Sequence, residues 1–179
     1  MYIKAVVAMS LNGFITNGSD PDVTKWTSAE DKAHFKASKA ESNLIVMGKN
    51  TYLAMRKSMV LDDKTLRVVL VRDLSEFLDD TVEGKLEFSN LESLQLVEWL
   101  EELGHNEMLL AGGSYIYSSF LEAGLIDELL VTIEPVVFES GTPLFSSLKS
   151  TQNFKLASSK QLNSDGTLLL SYKLVPNSK

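Results

Sequence analysis

What most constrains this chain is the rhythm of its apolar residues. Short β-branched runs at 3–9, 43–47, 67–71 and 108–111 alternate with longer stretches free of Gly and Pro. Those stretches predict helices over 28–41, 91–103 and 115–123. The second carries Leu91, Leu94, Val97 and Leu100 at helical spacing, and the third stops at Gly124, a helix terminator. Strands alternating with helices predict a mainly parallel sheet covered on both faces. The last third changes character. Segments 128–138, 154–161 and 167–174 all read as strands, and Asn163-Ser-Asp-Gly166 between the last two is a hairpin turn. The sheet should therefore finish antiparallel. Pro135 predicts a bulge or an edge position. The polar segment 56–65 reads as a loop. With no internal repeat and no linker-like break, one α/β domain is expected over 1–179.

Composition removes several function classes. The chain carries 17 Lys+Arg against 24 Asp+Glu, a net charge of −7, and has no long basic run. Nucleic-acid binding, which depends on cations that neutralise phosphates, is not expected. There is no Cys, so disulfides, thiolate nucleophiles and cysteine metal sites are excluded. The two histidines, His34 and His105, are far apart, and no metal site is expected. The N-terminal apolar run is broken by Ser10 and Asn12 and does not read as a signal peptide, and no run is long enough to span a membrane. The expectation is a soluble, cytoplasmic protein that works on a small molecule.

Two turns could seat phosphate. Gly112-Gly113 follows the run at 108–111 and precedes a helix, so backbone N–H groups and a helix N-terminus converge there. Gly48-Lys49-Asn50-Thr51 has the same setting with a lysine added. At the ends of neighbouring strands the two could share one dinucleotide; the plain alternative is two tight turns. Asp31 also admits two readings. Thr27-x-x-Glu30 and Ser28-x-x-Asp31 both fit a capping box, so Asp31 is either a cap residue or, if Thr27 and Glu30 form the cap, a free carboxyl. A free Asp31 would share a helix face with Phe35, and burial beside that ring would raise its pKa and suit it to protonating a ring nitrogen. Trp26, Tyr52, Tyr117 and Phe145 could stack on a ligand or pack the core. Asp62-Asp63 and Asp79-Asp80 could bind a metal or form solvated turns. His34 lies one residue off the Asp31 face and is not assigned to catalysis.

These residues stand in an order that resembles a known family. The stretch Trp26-Thr-Ser-Ala-Glu-Asp31-Lys-Ala-His-Phe35-Lys36, then Ile45-Val-Met-Gly48-Lys-Asn-Thr51-Tyr52, resembles the dihydrofolate reductase pattern. Val7-Ala8-Met9-Ser10-Leu11-Asn12-Gly13-Phe14-Ile15 is similar to that fold's first strand and following loop. Leu110-Ala-Gly112-Gly113-Ser114-x-x-Tyr117 is similar to its second phosphate seat. The run from Leu121 through Gly124-Leu-Ile-Asp127-Glu128 and Pro135 to Gly141-Thr-Pro-Leu-Phe145 resembles the sister family, the reductase domain at the C-terminus of bifunctional riboflavin biosynthesis proteins. The resemblance covers residues 2 to about 174.

The resemblance implies a three-layer dihydrofolate reductase-like fold that uses NADPH. It places the nicotinamide carboxamide at Ala8 and Ile15. The phosphates fall at Gly48, Lys49, Asn50 and Thr51 and at Gly112, Gly113, Ser114 and Tyr117, and the 2′-phosphate at Arg72. Phe35 and Met47 would line the substrate site, Asp31 would be the acid, and Thr132 would hydrogen-bond Asp31. A homodimer through the C-terminal strands, with the apolar run 168–170, is also implied. Some family positions differ. The folate-carboxylate arginine has Thr65 as its nearest match, with Lys64 and Arg67 beside it. The riboflavin-type signature after the first turn is replaced by Leu53-Ala-Met-Arg56-Lys57. The expected activity is hydride transfer from NADPH to a pterin-like or ribosylated-pyrimidine heterocycle. The rival is an NADP(H)-binding sensor without catalysis, which would have no need of the Asp31–Thr132 pair.

Overall fold

The computed structural model describes residues 1–175, so the last four residues of the expected domain lie outside the described residues. In chain order the regular elements are β1 (Tyr2–Ser10), α1 (Ala29–Ala40), β2 (Leu44–Gly48), α2 (Lys49–Met55), β3 (Leu66–Leu70), β4 (Leu86–Ser89), α3 (Ser93–Glu102), β5 (Glu107–Leu110), α4 (Ser114–Glu122), β6 (Glu128–Glu134), β7 (Asn153–Gln161) and β8 (Leu168–Val175). The eight strands form one sheet in the order β4-β3-β2-β5-β1-β6-β8-β7. Pairing is parallel from β4 to β6 and antiparallel from β6 through β8 to β7. The expected α/β architecture with an antiparallel C-terminal hairpin is what the chain forms.

Strand alternation builds a core on each face of the sheet. Ile3, Ala5, Leu44, Val46, Val68 and Leu110 point to one side, where α3 contributes Leu96 and Leu100 and α4 contributes Ile116 and Phe120. Ile45, Met47, Val69 and Leu109 point to the other, against Tyr52 and Phe77. Phe120 is fully buried, and truncating it to Ala would cost about 3–5 kcal/mol.

Three elements differ from expectation by more than a residue. The strand predicted over 128–138 ends at Glu134, because Pro135 donates no hydrogen bond to a ladder, and the chain turns with Val136 N–H on the Glu134 carbonyl. β4 has no counterpart in the sequence reading. It is a four-residue edge strand with mixed burial, too short and too polar to show a period. The second predicted helix, over 91–103, also moves, since α3 begins at Ser93 and ends at Glu102. No helix among the described residues is long and apolar enough to cross a membrane.

The topology opens a crevice. β5 lies between β2 and β1 but stops at Leu110, opposite Ala5, while β1 runs on to Ser10 with β6 as its partner. The C-terminal end of β1 is thus left without a strand on its β5 side. Parallel sheets take ligands at such a point, where the strand order reverses.

Candidate active site

The two glycine turns are one construction. Gly48 N–H donates to the Gly112 carbonyl at 2.7 Å, and a Cβ on Gly113 would lie 3.5 Å from Thr51 Oγ1. Both turns need glycine for contact reasons. A Cβ on Gly48 would sit 2.8 Å from Ile116 Cγ1, and one on Gly112 would sit 2.8 Å from the Tyr117 ring. Gly112 also has φ +94°, which side chains disfavour, and the Gly112–Gly113 peptide is cis. Gly113 caps α4 by backbone position alone. Next to it, the buried Ser114 hydroxyl oxygen has no hydrogen-bond partner among the described residues. An unpartnered hydroxyl at a helix N-terminus beside a glycine turn suits an anion. Lys49 pairs with Glu76, Asn50 is exposed, and Arg72 is exposed just beyond β3.

Tyr117 is placed differently from its expected role as a cofactor contact. It is 2% exposed, its hydroxyl donates to the Val6 carbonyl at 2.6 Å, and its ring backs Gly112. It supports the turn from behind. Ile15 is likewise a core residue, with its N–H on the Thr142 carbonyl, while Ala8 sits in β1 beyond the end of β5. Tyr52 is a core residue too, edge-on to Phe77 and Phe88 with its hydroxyl on Asp80. Trp26 packs edge-on to Phe138, and its indole nitrogen is buried without a hydrogen-bond partner among the described residues. Asp62 is paired with Arg67, Asp63 with Lys85, and Asp80 with Arg56. No group of three or more possible metal ligands occurs among the described residues.

The fate of Asp31 turns on a residue that sequence reasoning missed. Ser28, not Thr27, is the N-cap of α1, and its hydroxyl accepts the Asp31 N–H. In a complete capping box the carboxyl three residues on would return to the cap N–H. Here Glu134, at the end of β6, takes that place: Ser28 N–H donates to Glu134 Oε1 at 2.7 Å. The other oxygen of Glu134 accepts from the Thr167 hydroxyl at 2.7 Å. The Asp31 carboxyl is thereby released from capping. It lies buried beside Thr132 and Thr27, near Glu134 and His34. Burial holds its pKa above the ordinary aspartate range. Thr132 opposes that, the Glu134 carboxylate reinforces it, and Thr27 and His34 oppose it more weakly. Thr132 Oγ1 is close enough to act on Asp31 but makes no bond of full hydrogen-bond geometry among the described residues. Glu134 could not be found from the sequence, where an acid before Pro135 reads as a solvated strand end.

From Asp31 one turn of α1 leads to Phe35, which with Met47 and Ala111 lines a cavity of about 550 Å³. An acid one helical turn from a residue that lines a partly apolar cavity, with glycine turns just beyond the strand-end residues Met47 and Ala111 that also line it, is an arrangement that can hold a planar polar molecule and supply it a proton.

The architecture has close structural counterparts. A protein assigned to riboflavin biosynthesis from Shewanella sp. PV-4 superposes with a TM-score of 0.82 at 23% identity, over 98% of this chain and 100% of that one. Dihydrofolate reductase from Enterococcus faecalis, in complex with NADP(H), gives a TM-score of 0.70 at 18% identity over 97% and 96% of the two chains. Among curated sequences, the Bacillus subtilis (strain 168) protein YyaP is 30% identical over 83 residues, 46% of this chain and 44% of that protein. The chain matches less than half the length of the curated relatives it aligns with. The RibD C-terminal domain family matches residues 1–168, nearly the whole sequence, and the chain belongs to that family.

Proposed function

We propose that this protein is an NADPH-dependent reductase that delivers hydride to a small nitrogen heterocycle, either a pterin of the dihydrofolate kind or a ribosylated pyrimidine. The observation that carries this reading is the release of Asp31 from its cap by Glu134. A helix-start acid that serves folding alone would complete its own capping box. This one is buried, kept protonatable, and set one turn from the cavity-lining Phe35.

The residues fit the cofactor the family uses. The partnerless Ser114 hydroxyl and the joined turns Gly48–Thr51 and Gly112–Ser114 suit its phosphates, and Ala8, beyond the end of β5, suits the nicotinamide end. The backbone at Ile15 is the second position assigned to the nicotinamide carboxamide, and Arg72 is exposed and accessible for a 2′-phosphate. When bound, NADPH supplies the hydride. The chain's own work is the rest: Phe35 and Met47 hold the acceptor ring, Asp31 hydrogen-bonds a ring nitrogen and supplies a proton, and Thr132 orients Asp31. The whole chain acts as one domain, and a homodimer through β7 and β8 completes the reading.

The test is NADPH oxidation with dihydrofolate and with ribosylated aminopyrimidines, after NADPH binding has been established by fluorescence quenching. Asp31→Asn should leave NADPH affinity intact and lower turnover by about a hundredfold or more. Equal turnover in the variant would reduce Asp31 to a structural residue. Cofactor binding with no acceptor ever consumed would favour the sensor.

A further inference from the structure

The turn between β7 and β8 reaches the start of α1. Thr167, 1% exposed, closes this turn by accepting Leu162 N–H on its carbonyl at 2.8 Å. Its own N–H donates to Asn163 Oδ1 at 3.1 Å, and since a backbone N–H can only donate, this fixes the orientation of the Asn163 amide. Asn163 Nδ2 then donates to two oxygens, Thr167 Oγ1 at 3.0 Å and Glu30 Oε2, on the first turn of α1, at 3.1 Å. Thr167 Oγ1 is therefore an acceptor on the Asn163 side. Its single proton goes to Glu134 Oε2, 2.7 Å away and its acceptor among the described residues. The chain of donors has one direction, from the turn to Glu134.

Glu134 thus meets a donor at each oxygen, Ser28 N–H at Oε1 and the Thr167 hydroxyl at Oε2. A proton on either oxygen would face a donor, so both partners suit the carboxylate and neither suits the acid. Asp31 is set differently. Its carboxyl lies beside the hydroxyls of Thr27 and Thr132, which can accept a proton's hydrogen bond as well as donate one, and Thr132 Oγ1 is buried with no hydrogen-bond partner among the described residues. The other titratable group that acts on Asp31 is His34, from α1 itself; burial holds its imidazole below the ordinary histidine range, which favours the neutral form. Two neighbouring buried carboxyls resist double ionisation.

We infer that the β7–β8 turn, through Asn163 and Thr167, assigns the proton of the Asp31–Glu134 pair to Asp31. Thr167 and Asn163 are positioning residues: they act on the acid through Glu134, from a hairpin turn more than 130 positions along the chain. Without the Thr167 hydroxyl, Oε2 of Glu134 loses its donor and can carry the proton, and Asp31 then shares it. That Asp31 delivers this proton to a hydride acceptor rests on the reductase reading above; the assignment of the proton does not.

The test is a pH titration of the intact protein with 13C-labelled Asp and Glu carboxyls, followed by NMR. The Asp31 signal is identified by its loss in Asp31→Asn and the Glu134 signal by its loss in Glu134→Gln. In the wild type the Asp31 signal should move as the pair takes up its first proton, while Glu134 stays at its ionised position. In Thr167→Val the two signals should move together over one pH span, and Thr167→Ser should restore the wild-type pattern. Turnover in Thr167→Val should fall about two- to tenfold, in proportion to the share of the proton that Asp31 loses, with KM unchanged. Asn163→Ala, in a half-buried turn, frees the hydroxyl to rotate and should show the same effect more weakly; it keeps the test decisive if Thr167→Val does not fold. Glu134 moving with Asp31 in the wild type would overturn the inference. So would an Asp31 signal that still titrates alone in Thr167→Val and Asn163→Ala, or a Thr167→Ser variant that behaves like Thr167→Val. The expected signals with no acceptor reduced by any form of the protein would support the proton assignment and overturn the reductase reading instead.

Discussion

Replacing Glu134 separates its two roles, holding α1 and acting on Asp31. The residue is 3% exposed and accepts two hydrogen bonds of 2.7 Å, one from Ser28 N–H and one from the Thr167 hydroxyl. Each bond to a charged acceptor contributes about 1.5–3 kcal/mol. Glu134→Ala removes both and leaves a buried cap N–H without a partner, while relieving the repulsion with Asp31. The net loss should be about 3–4 kcal/mol, which for a chain of this length is a fall in Tm of roughly 6–16 °C. Glu134→Gln keeps an acceptor for Ser28 N–H, and its amide can donate to Thr167, so the loss should be only about 1 kcal/mol. Urea unfolding of both variants measures this. The Gln variant also removes the carboxylate that helps raise the Asp31 pKa. The alkaline limb of its pH–turnover profile should therefore move toward acid, because the protonated Asp31 is lost at lower pH. If Ala and Gln are equally stable, or the pH profile does not move in Gln, the reasoning about Glu134 is refuted.

Three further outcomes are expected. Asp31 has a folded pKa above its unfolded value, so the folded state holds the extra proton. Its contribution to stability falls as pH rises from the ordinary aspartate range through that raised value. Asp31→Asn should accordingly be more stable than the wild type at neutral pH, and urea midpoints should converge once the pH drops below the ordinary aspartate range. Arg72→Ala should weaken binding of NADPH more than of NADH, as read by fluorescence quenching; equal losses would remove Arg72 from the 2′-phosphate. Gly112→Ala places a Cβ 2.8 Å from the Tyr117 ring at a φ of +94°, and should cost about 2 kcal/mol or more in urea unfolding, against less than about 0.5 kcal/mol for Gly113→Ala.

Much of the fold was legible because periodicity depends on local pattern alone. The runs at 43–47 and 108–111 became β2 and β5 within a residue, and the helix predicted over 28–41 became α1 with Ser28 and Glu41 as its caps. Strand β4 was not legible, since a short edge strand with mixed burial carries no period. The end of β6 was overread because apolar Val136, Val137 and Phe138 continue the composition of a strand after Pro135 has ended its hydrogen bonding.

The candidate site divides along the same line. Glycine turns, the helix-start acid and the cations of segment 64–67 are properties of sequence, and the sequence by itself determined which chemical groups were available and at which strand ends they fall. Whether Asp31 caps its helix or is free was undecidable there, because the deciding partner, Glu134, is 103 positions away, at the end of β6. Tyr117 shows the reverse case: its place in the second turn suggested a ligand contact, and packing turned its ring inward to the Val6 carbonyl. The pairing of Arg67 with Asp62 likewise follows from the return of the loop after α2 to the start of β3. Local sequence sets propensity and pattern. Burial, charge proximity and the choice among hydrogen-bond partners depend on neighbours that only the folded sheet brings together, and these decided the state of the acid.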